Sequence, residues 1–167
     1  RRRAKLGADG TTWTFGDVEA GVTVLDTVSA QARVQVAELV PAVVRWNREQ
    51  LGHFAGFPLD DPRVEVFEGD VADCFQKPAA FDAILLDVDN GPGALANANT
   101  ALYGPASLRR AKHALRPRGV FAVWSPGASP RFEQRLHEQG FHVETARVRA
   151  RGAAGGARHV VWIARGR

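Results

Sequence analysis

The chain has 167 residues, of which 45% are hydrophobic and 24% are charged, a composition typical of one globular domain with its own core. Its single cysteine, Cys74, excludes an intramolecular disulfide framework and the usual multi-cysteine zinc sites. No apolar run approaches the ~20 residues needed to cross a bilayer, and no signal-peptide pattern is present, so the sequence predicts a cytoplasmic protein without a membrane partner.

The net charge of +4 is distributed unevenly along the chain. Residues 131–167 hold eight arginines and three glutamates, whereas residues 33–90 hold eleven acids and five bases. The acidic segment contains the candidate site residues, and a negative field repels phosphates and attracts cations. We therefore do not expect nucleic-acid binding, and the basic ends are interpreted as solvated surface.

The predicted elements alternate between strands and helices. In chain order they are a strand over 11–15, an ambiguous strand or short helix within 22–30, a strand over 34–39, a helix over 41–51, a strand over 64–67, a turn or short helix over 71–75, a strand over 83–86, a loop over 90–100, a helix over 105–115, a strand over 120–124, a helix over 130–139, and strands over 143–148 and 159–164. This order predicts an α/β, Rossmann-like fold with a mostly parallel sheet, helices on both faces and an antiparallel C-terminal edge hairpin. Residues 1–12 are predicted to be a loose basic terminus, and residues 13–167 a single nucleoside-binding domain.

Glu38 ends the second strand of the first strand–helix–strand unit. It lies 22 residues after Gly16 and 17 after Gly21, which are the candidate glycines of a nucleotide-binding loop. An acid at that place accepts hydrogen bonds from both ribose hydroxyls of an adenosine cofactor. The alternative is a surface glutamate at a strand end.

Gly69, Asp70 and Val71 follow the next strand and form the second part of the predicted cofactor site. The Asp70 carboxylate can accept a hydrogen bond from an adenine amino group, while a glycine lets the ring approach the backbone. An isolated Gly-Asp pair is otherwise simply a turn.

Asp87 and Asp89 follow the most hydrophobic predicted strand. Two nearby acids can hold a protonated amine, and one of them can take its proton during nucleophilic attack. The segment also allows a turn formed with Asn90-Gly91-Pro92, or a divalent-cation site of the Asp-x-Asp type. We rank the amine site first, the turn second and the metal third. Tyr103, the only tyrosine, is a candidate substrate-binding residue, with packing as its alternative.

From about Leu25 onward, the chain resembles the spermidine synthase family, within the class I S-adenosylmethionine-dependent methyltransferase fold. The resemblance is carried by five segments, over residues 36–44, 61–70, 81–92, 102–103 and 115–124. The segment Phe15–Gly21 is a degraded version of the Gly-x-Gly-x-Gly turn of the family. By this resemblance, the chain corresponds to a shortened relative of the family that lacks the family's N-terminal β domain.

The family transfers an aminopropyl group from decarboxylated S-adenosylmethionine to putrescine, in polyamine biosynthesis. By this resemblance, Glu38 holds the ribose, Asp70 the adenine, Asp87 is the base on the attacking amine, and Asp89 helps to bind the substrate ammonium. The resemblance implies S-adenosylmethionine or its decarboxylated form as co-substrate, no metal, a small-molecule amine as acceptor and, as in many family members, a homodimer.

Three further functions remain open from the sequence. The first is a methyltransferase that uses the same pocket for a small substrate. The second is a truncated, non-catalytic domain that keeps the fold without binding a cofactor. An NAD-binding reductase would also use Glu38, but no clean Gly-x-Gly-x-x-Gly motif precedes its strand.

Overall fold

The computed structural model describes residues 3–6, 13–16, 24–87, 91–93, 101–149 and 156–166. The chain divides into two compact units, Arg1–Asp73 and Cys74–Arg167. In chain order the elements are β1 (Arg3–Leu6), β2 (Trp13–Gly16), β3 (Val34–Glu38), α1 (Pro41–Arg48), β4 (Val64–Glu68), α2 (Val71–Cys74), β5 (Phe81–Leu86), α3 (Pro105–Ala114), β6 (Leu115–Ser125), α4 (Pro130–Glu138), β7 (Phe141–Arg149) and β8 (Arg158–Gly166). Short 3₁₀ turns lie at Val24–Asp26, Gly52–Ala55, Pro58–Asp60 and Gly91–Gly93.

The first unit contains two separate strand pairs. β1 and β2 pair antiparallel, with Arg3 opposite Gly16. β3 and β4 pair parallel and in register, so that Glu38 lies opposite Glu68. The strand at Arg3–Leu6 differs from the loose terminus that the sequence predicts. A four-residue strand has too few positions to show a periodicity, and its pairing with β2 supplies the backbone hydrogen bonds.

Helix α1 begins with Pro41 at its first turn, as predicted, because a proline there loses no intrahelical hydrogen bond. It ends at Arg48, three residues earlier than predicted. The chain turns back at Gly52, where a Cβ would collide with the Asn47 carbonyl oxygen and lie 2.6 Å from Phe57 Cδ1. Only glycine fits that close approach. The helix therefore ends before this turn, although the sequence pattern predicts a helix up to residue 51.

The second unit holds a mixed four-stranded sheet with the order β5-β6-β8-β7. β5 and β6 are parallel, whereas β8 pairs antiparallel with both β6 and β7. The α/β class and the antiparallel C-terminal strands are therefore confirmed. β6 begins earlier than predicted, because Leu115 pairs with Phe81 and Val120 with Ala83, and the four residues between them bulge out of the ladder.

The core of the second unit is built around Trp162 of β8, which is 1% exposed. Phe132 of α4 packs edge-on against Trp162, with ring centroids 5.0 Å apart. Phe121 and Phe141 stack on each other at 6.0 Å. The Phe132–Trp162 contact joins α4 to the sheet, and the Phe121–Phe141 contact joins β6 to β7.

No helix within the described residues combines the length and the apolar character that crossing a bilayer requires.

Candidate functional site

Glu38 and Asp70 lie at the carboxyl end of the parallel β3–β4 pair. Glu38 is the last residue of β3, and Asp70 lies two residues beyond the end of β4. The Gly69 N–H donates to the Glu38 carbonyl oxygen over 3.0 Å, so the ladder holds the two strand ends side by side. This is the arrangement that sequence reasoning predicts, since ligands of open α/β sheets bind beyond the carboxyl ends of strands.

Each of these carboxylates has one oxygen occupied by the backbone. Glu38 Oε1 accepts from the Val40 N–H at 2.8 Å, and Asp70 Oδ1 accepts from the Ala72 N–H at 2.8 Å. These contacts fix the two side chains at the strand ends, and the second oxygen of each accepts no hydrogen bond from the described part of the chain. Asp70 also occupies the N-cap position of α2, which is a structural role in its own right.

Gly69 is half-buried, and a Cβ there would lie 2.8 Å from Phe67 Cε1. A glycine at this position therefore leaves room for the Phe67 ring, beside any role in admitting a ligand. Val71 is the half-buried first residue of α2. Both residues keep their cofactor-binding role as a prediction.

The candidate glycine loop is described only at its start. Gly16 is the last residue of β2, whereas Gly21 lies outside the described residues. Asp89, the candidate substrate-binding acid, also lies outside them. Their roles stay predictions.

Asp87 directly follows β5 in the second unit and is exposed to solvent. Its neighbour Leu86 is buried and pairs with Val123 of β6, which places Asp87 at the carboxyl end of the parallel β5–β6 pair. The strand end is thus packed in the core, while Asp87 itself is exposed.

Tyr103 is only 2% exposed, and its ring packs edge-on against Phe132 at 5.6 Å. This burial favours the packing alternative, because the ring belongs to the core of the second unit. Its substrate-binding role stays a prediction.

The strongest electrostatic pair of the first unit joins Asp61 and Arg63. Arg63 donates from Nε and Nη2 to the two carboxylate oxygens over 3.0 and 2.7 Å, and its backbone N–H donates to Asp61 Oδ1 over 2.9 Å. These hydrogen bonds from the Arg63 side chain and backbone lower the pKa of Asp61 from 3.8 to about 2. The Arg63 carbonyl accepts from Val34, so the pair braces the entry to both parallel strands.

Sequence reasoning missed the role of Glu133 in the second unit. Its Oε2 accepts from Trp162 Nε1 at 3.0 Å and from Thr145 Oγ1 at 3.1 Å, which ties α4 to β7 and β8. It lines a cavity of about 400 Å³ together with His137 and Arg147. A lone glutamate on a helix carries no sequence signal for this contact, and its partners identify it as structural.

Among the described residues, no group of three or more histidine, cysteine, aspartate or glutamate side chains is placed to hold a metal ion.

No protein-family model and no curated protein matches the chain. Solved structures do match it. A spermidine synthase from Thermotoga maritima matches at 17% identity and a TM-score of 0.63, and the match covers 90% of this chain and 51% of the synthase chain. A probable spermidine synthase from Corynebacterium glutamicum matches at 22% identity and a TM-score of 0.60, and this match covers 81% of this chain and 48% of the synthase chain.

A methyltransferase has a similar structure. It is the 1,6-didemethyltoxoflavin-N1-methyltransferase of Burkholderia thailandensis with bound S-adenosylhomocysteine, which is 21% identical to this chain with a TM-score of 0.53. The match covers 80% of this chain and 61% of the methyltransferase chain. The chain thus spans about half the length of the spermidine synthases that it matches. These likenesses show the fold: the Rossmann-like architecture predicted from the sequence, shared with spermidine synthases and S-adenosylmethionine-dependent methyltransferases, is confirmed.

Proposed function

We propose that this chain is a transferase that binds a sulfonium nucleoside of the S-adenosylmethionine type, with aminopropyl transfer to a small amine as its specific reaction. The observation that supports it best is the pair of carboxylates at the end of β3 and just beyond β4. Glu38 and Asp70 follow adjacent parallel strands whose ends are joined by the hydrogen bond from Gly69 to Glu38. The S-adenosylhomocysteine bound to the Burkholderia neighbour supports the same class of ligand.

The residues present fit such a nucleoside. A ribose offers two hydroxyl donors and an adenine offers an amino donor, and carboxylate oxygens are acceptors. Glu38 and Asp70 each use one oxygen to accept from the backbone, and the second oxygen of each accepts no hydrogen bond from the described part of the chain. Leu39 and Val40, which are 67% and 48% exposed, follow Glu38 and offer apolar surface to a ring.

In this proposal, Asp87 accepts the proton that the attacking amine loses. The amine nitrogen attacks the carbon next to the sulfonium, the new C–N bond forms, and the C–S bond breaks with its electron pair going to sulfur. The nitrogen then carries one proton too many, and the Asp87 carboxylate takes it. Correct positioning of the two reactants supplies much of the rate, about 7–11 kcal/mol in well-oriented reactions.

Methyl transfer is the second candidate, because the Burkholderia neighbour is a methyltransferase with the same fold. The same attack would then occur at a methyl carbon. The two candidates differ in the donor: methyl transfer needs S-adenosylmethionine, and aminopropyl transfer needs its decarboxylated form.

Calorimetric titration of the chain with S-adenosylmethionine, decarboxylated S-adenosylmethionine and methylthioadenosine tests the proposal. Micromolar binding of any of the three supports a nucleoside site, and the preferred donor separates the two reactions. If none of the three releases heat on a sample that circular dichroism shows to be folded, the hypothesis of a non-catalytic domain would be favoured instead.

Asp87→Asn tests the base. We expect turnover to fall about 10²–10⁴-fold, as for the loss of a general base, with nucleoside affinity unchanged. Asp82→Asn is the matched control, because Asp82 is an exposed acid on β5, the strand that Asp87 follows, and is paired with Arg116 at 2.6 Å. Equal losses in both variants would show that Asp87 has no special role.

A further inference from the structure

A cavity of about 400 Å³ lies between helix α4 and strands β7 and β8, entirely within the second unit. Its volume is in the range of pockets that hold small molecules. Val160 and Trp162 of β8, which are 5% and 1% exposed, lie at its base. We call it the α4–β7 cavity, because these two elements supply the charged side chains that line it.

Two opposite charges line this cavity without pairing with each other. Glu133 comes from α4 and Arg147 from β7, and no nitrogen of Arg147 lies within 4.0 Å of a Glu133 carboxylate oxygen. Arg147 is exposed, and its side chain makes no hydrogen bond or ion pair within the described part of the chain. The space between the two charges can therefore accept a group that pairs with both of them.

Glu133 has a fixed orientation in the cavity wall. Its Oε2 accepts from Trp162 Nε1 at 3.0 Å and from Thr145 Oγ1 at 3.1 Å, which is its structural role. Its Oε1 accepts no hydrogen bond from the described residues. Because two donors already hold this half-buried carboxylate, a cation that binds to Oε1 costs little further side-chain freedom.

We infer that the α4–β7 cavity binds a small zwitterion of the α-amino acid type with an apolar side chain. The planar guanidinium of Arg147 matches the two oxygens of a carboxylate, and an ammonium group offers three N–H donors to Glu133 Oε1. The apolar side chain of the ligand lies against Val160 at the base. Glu133 repels a simple anion and Arg147 repels a simple cation, so a ligand with both charges is favoured. The inference does not depend on the proposed function.

Three probes of similar shape separate the two charges. L-leucine carries both, isopentylamine carries only the ammonium, and 4-methylpentanoate carries only the carboxylate. NMR spectra of the full chain follow the methyl groups of Val160 and the indole N–H of Trp162, which both belong to the cavity. We expect saturable shifts with L-leucine, and an affinity about tenfold or more weaker for each single-charge probe, which lacks one charged hydrogen bond. Equal affinity for a single-charge probe, or no shift up to about 20 mM L-leucine, would overturn the inference.

Arg147→Ala tests the carboxylate contact at a side chain on which no described contact depends. We expect the affinity for L-leucine to fall about tenfold or more, and the affinity for isopentylamine not to fall. Arg149→Ala is the matched control, because Arg149 is an exposed arginine two residues further along β7 and does not line the cavity. Equal weakening by the two variants would mean that general positive charge attracts the ligand, and the inference would be wrong.

Glu133→Gln tests the ammonium contact. It removes the charge but keeps an oxygen acceptor for Trp162 and Thr145, so the indole N–H resonance of Trp162 reports whether the fold is retained. We expect the affinity for L-leucine to fall about tenfold, whereas Glu138→Gln, at an exposed acid of the same helix outside the cavity, leaves it unchanged. Unchanged affinity in a folded Glu133→Gln counts against the inference. If that variant does not fold, the comparison of the two arginine variants still decides.

Methylthioadenosine distinguishes a separate site from a part of the nucleoside site, because it carries no amino acid group. L-leucine that stays bound at saturating methylthioadenosine supports a separate site. Displacement of L-leucine would assign the cavity to the nucleoside and overturn the inference. If the chain binds no nucleoside at all, the proposed function fails, whereas the titration with L-leucine still decides what this cavity holds.

Discussion

The two units of the chain differ sharply in how they bury apolar side chains. Among the residues whose side chains the structure describes, the first unit contributes one buried hydrophobic residue, Val44, whereas all other buried hydrophobic residues lie in the second unit. The large exposed hydrophobic side chains show the opposite distribution, since Leu85 is the only one of them in the described part of the second unit. Those of the first unit are Leu39, Val40, Trp46, Phe54 and Phe57.

This difference separates two tasks. The second unit uses a sheet and helix packing to hold Asp87 at a strand end, and its stability comes from apolar burial. The first unit holds Glu38 and Asp70 at strand ends by hydrogen bonds from backbone N–H groups to their carboxylates, and the Asp61–Arg63 ion pair lies at the opposite end of β4. Perturbations of packing should therefore act on the second unit, and perturbations of polar groups on the first.

The largest effect should come from the core of the second unit. Phe132 is 1% exposed, so Phe132→Ala should lower the free energy of unfolding by about 3–5 kcal/mol through lost burial and a residual cavity. Phe54→Ala is the same change at a residue that is 70% exposed, and it should stay within about 0.5 kcal/mol of the wild type. Chemical denaturation measures both, and similar losses would remove the contrast between the units.

The next effect concerns binding by the first unit. Glu38→Ala removes a charged acceptor from the proposed ribose contact, which should weaken nucleoside binding about 10–100-fold, as expected for hydrogen bonds to a charged group. Glu68→Ala is the control, because Glu68 lies directly opposite Glu38 in the ladder and is exposed. Calorimetry measures both affinities. Equal weakening by the two variants would indicate that the change in net charge, and not the loss of a ribose contact, lowers the affinity.

Asp70 allows its structural role to be separated from its proposed binding role. Asp70→Ala removes the acceptor for the Ala72 N–H and should cost about 0.5–2 kcal/mol of stability, whereas Asp70→Ser keeps a capping oxygen and should cost less. Both should weaken nucleoside binding, because neither side chain carries the second carboxylate oxygen. If Asp70→Ser bound the nucleoside as the wild type does, Asp70 would be a helix cap alone.

The carboxyl ends of the strands were predictable from the sequence because short apolar runs end in acids there. Glu38 and Asp87 occupy the positions that this pattern predicts, and the α/β class follows from the same alternation. The close approach of Gly91 to Ser125, in which a Cβ on the glycine would lie 2.6 Å from Ser125 Oγ, was not predictable, because the two residues are 34 positions apart in the sequence and a Gly-Pro pair indicates only a turn.

Two departures in local structure have physical causes that lie outside local sequence. Residues 116–119 contain a proline and a glycine and indicate a helix end, yet β6 runs through them as a bulge, with Arg118 at φ of +67°. Pairing with β5 on both sides of the bulge overrides that local preference. Strand β1 likewise depends on its pairing with β2 rather than on its own four residues.

The smallest expected effect is the pH response of Asp61, whose pair with Arg63 lies at the surface with both side chains 23% exposed. NMR titration of the Asp61 carboxyl carbon should give a midpoint of about 2, and Arg63→Gln should return it toward 3.8. Because the folded-state pKa is the lower one, the pair stabilises the fold fully above pH 3.8 and loses that contribution as the pH falls toward 2. The Arg63→Gln variant should show a weaker dependence of stability on pH in that window. A wild-type midpoint near 3.8 would mean that Arg63 does not hold the carboxylate in solution, and that the contact between the entries to β3 and β4 does not depend on this ion pair.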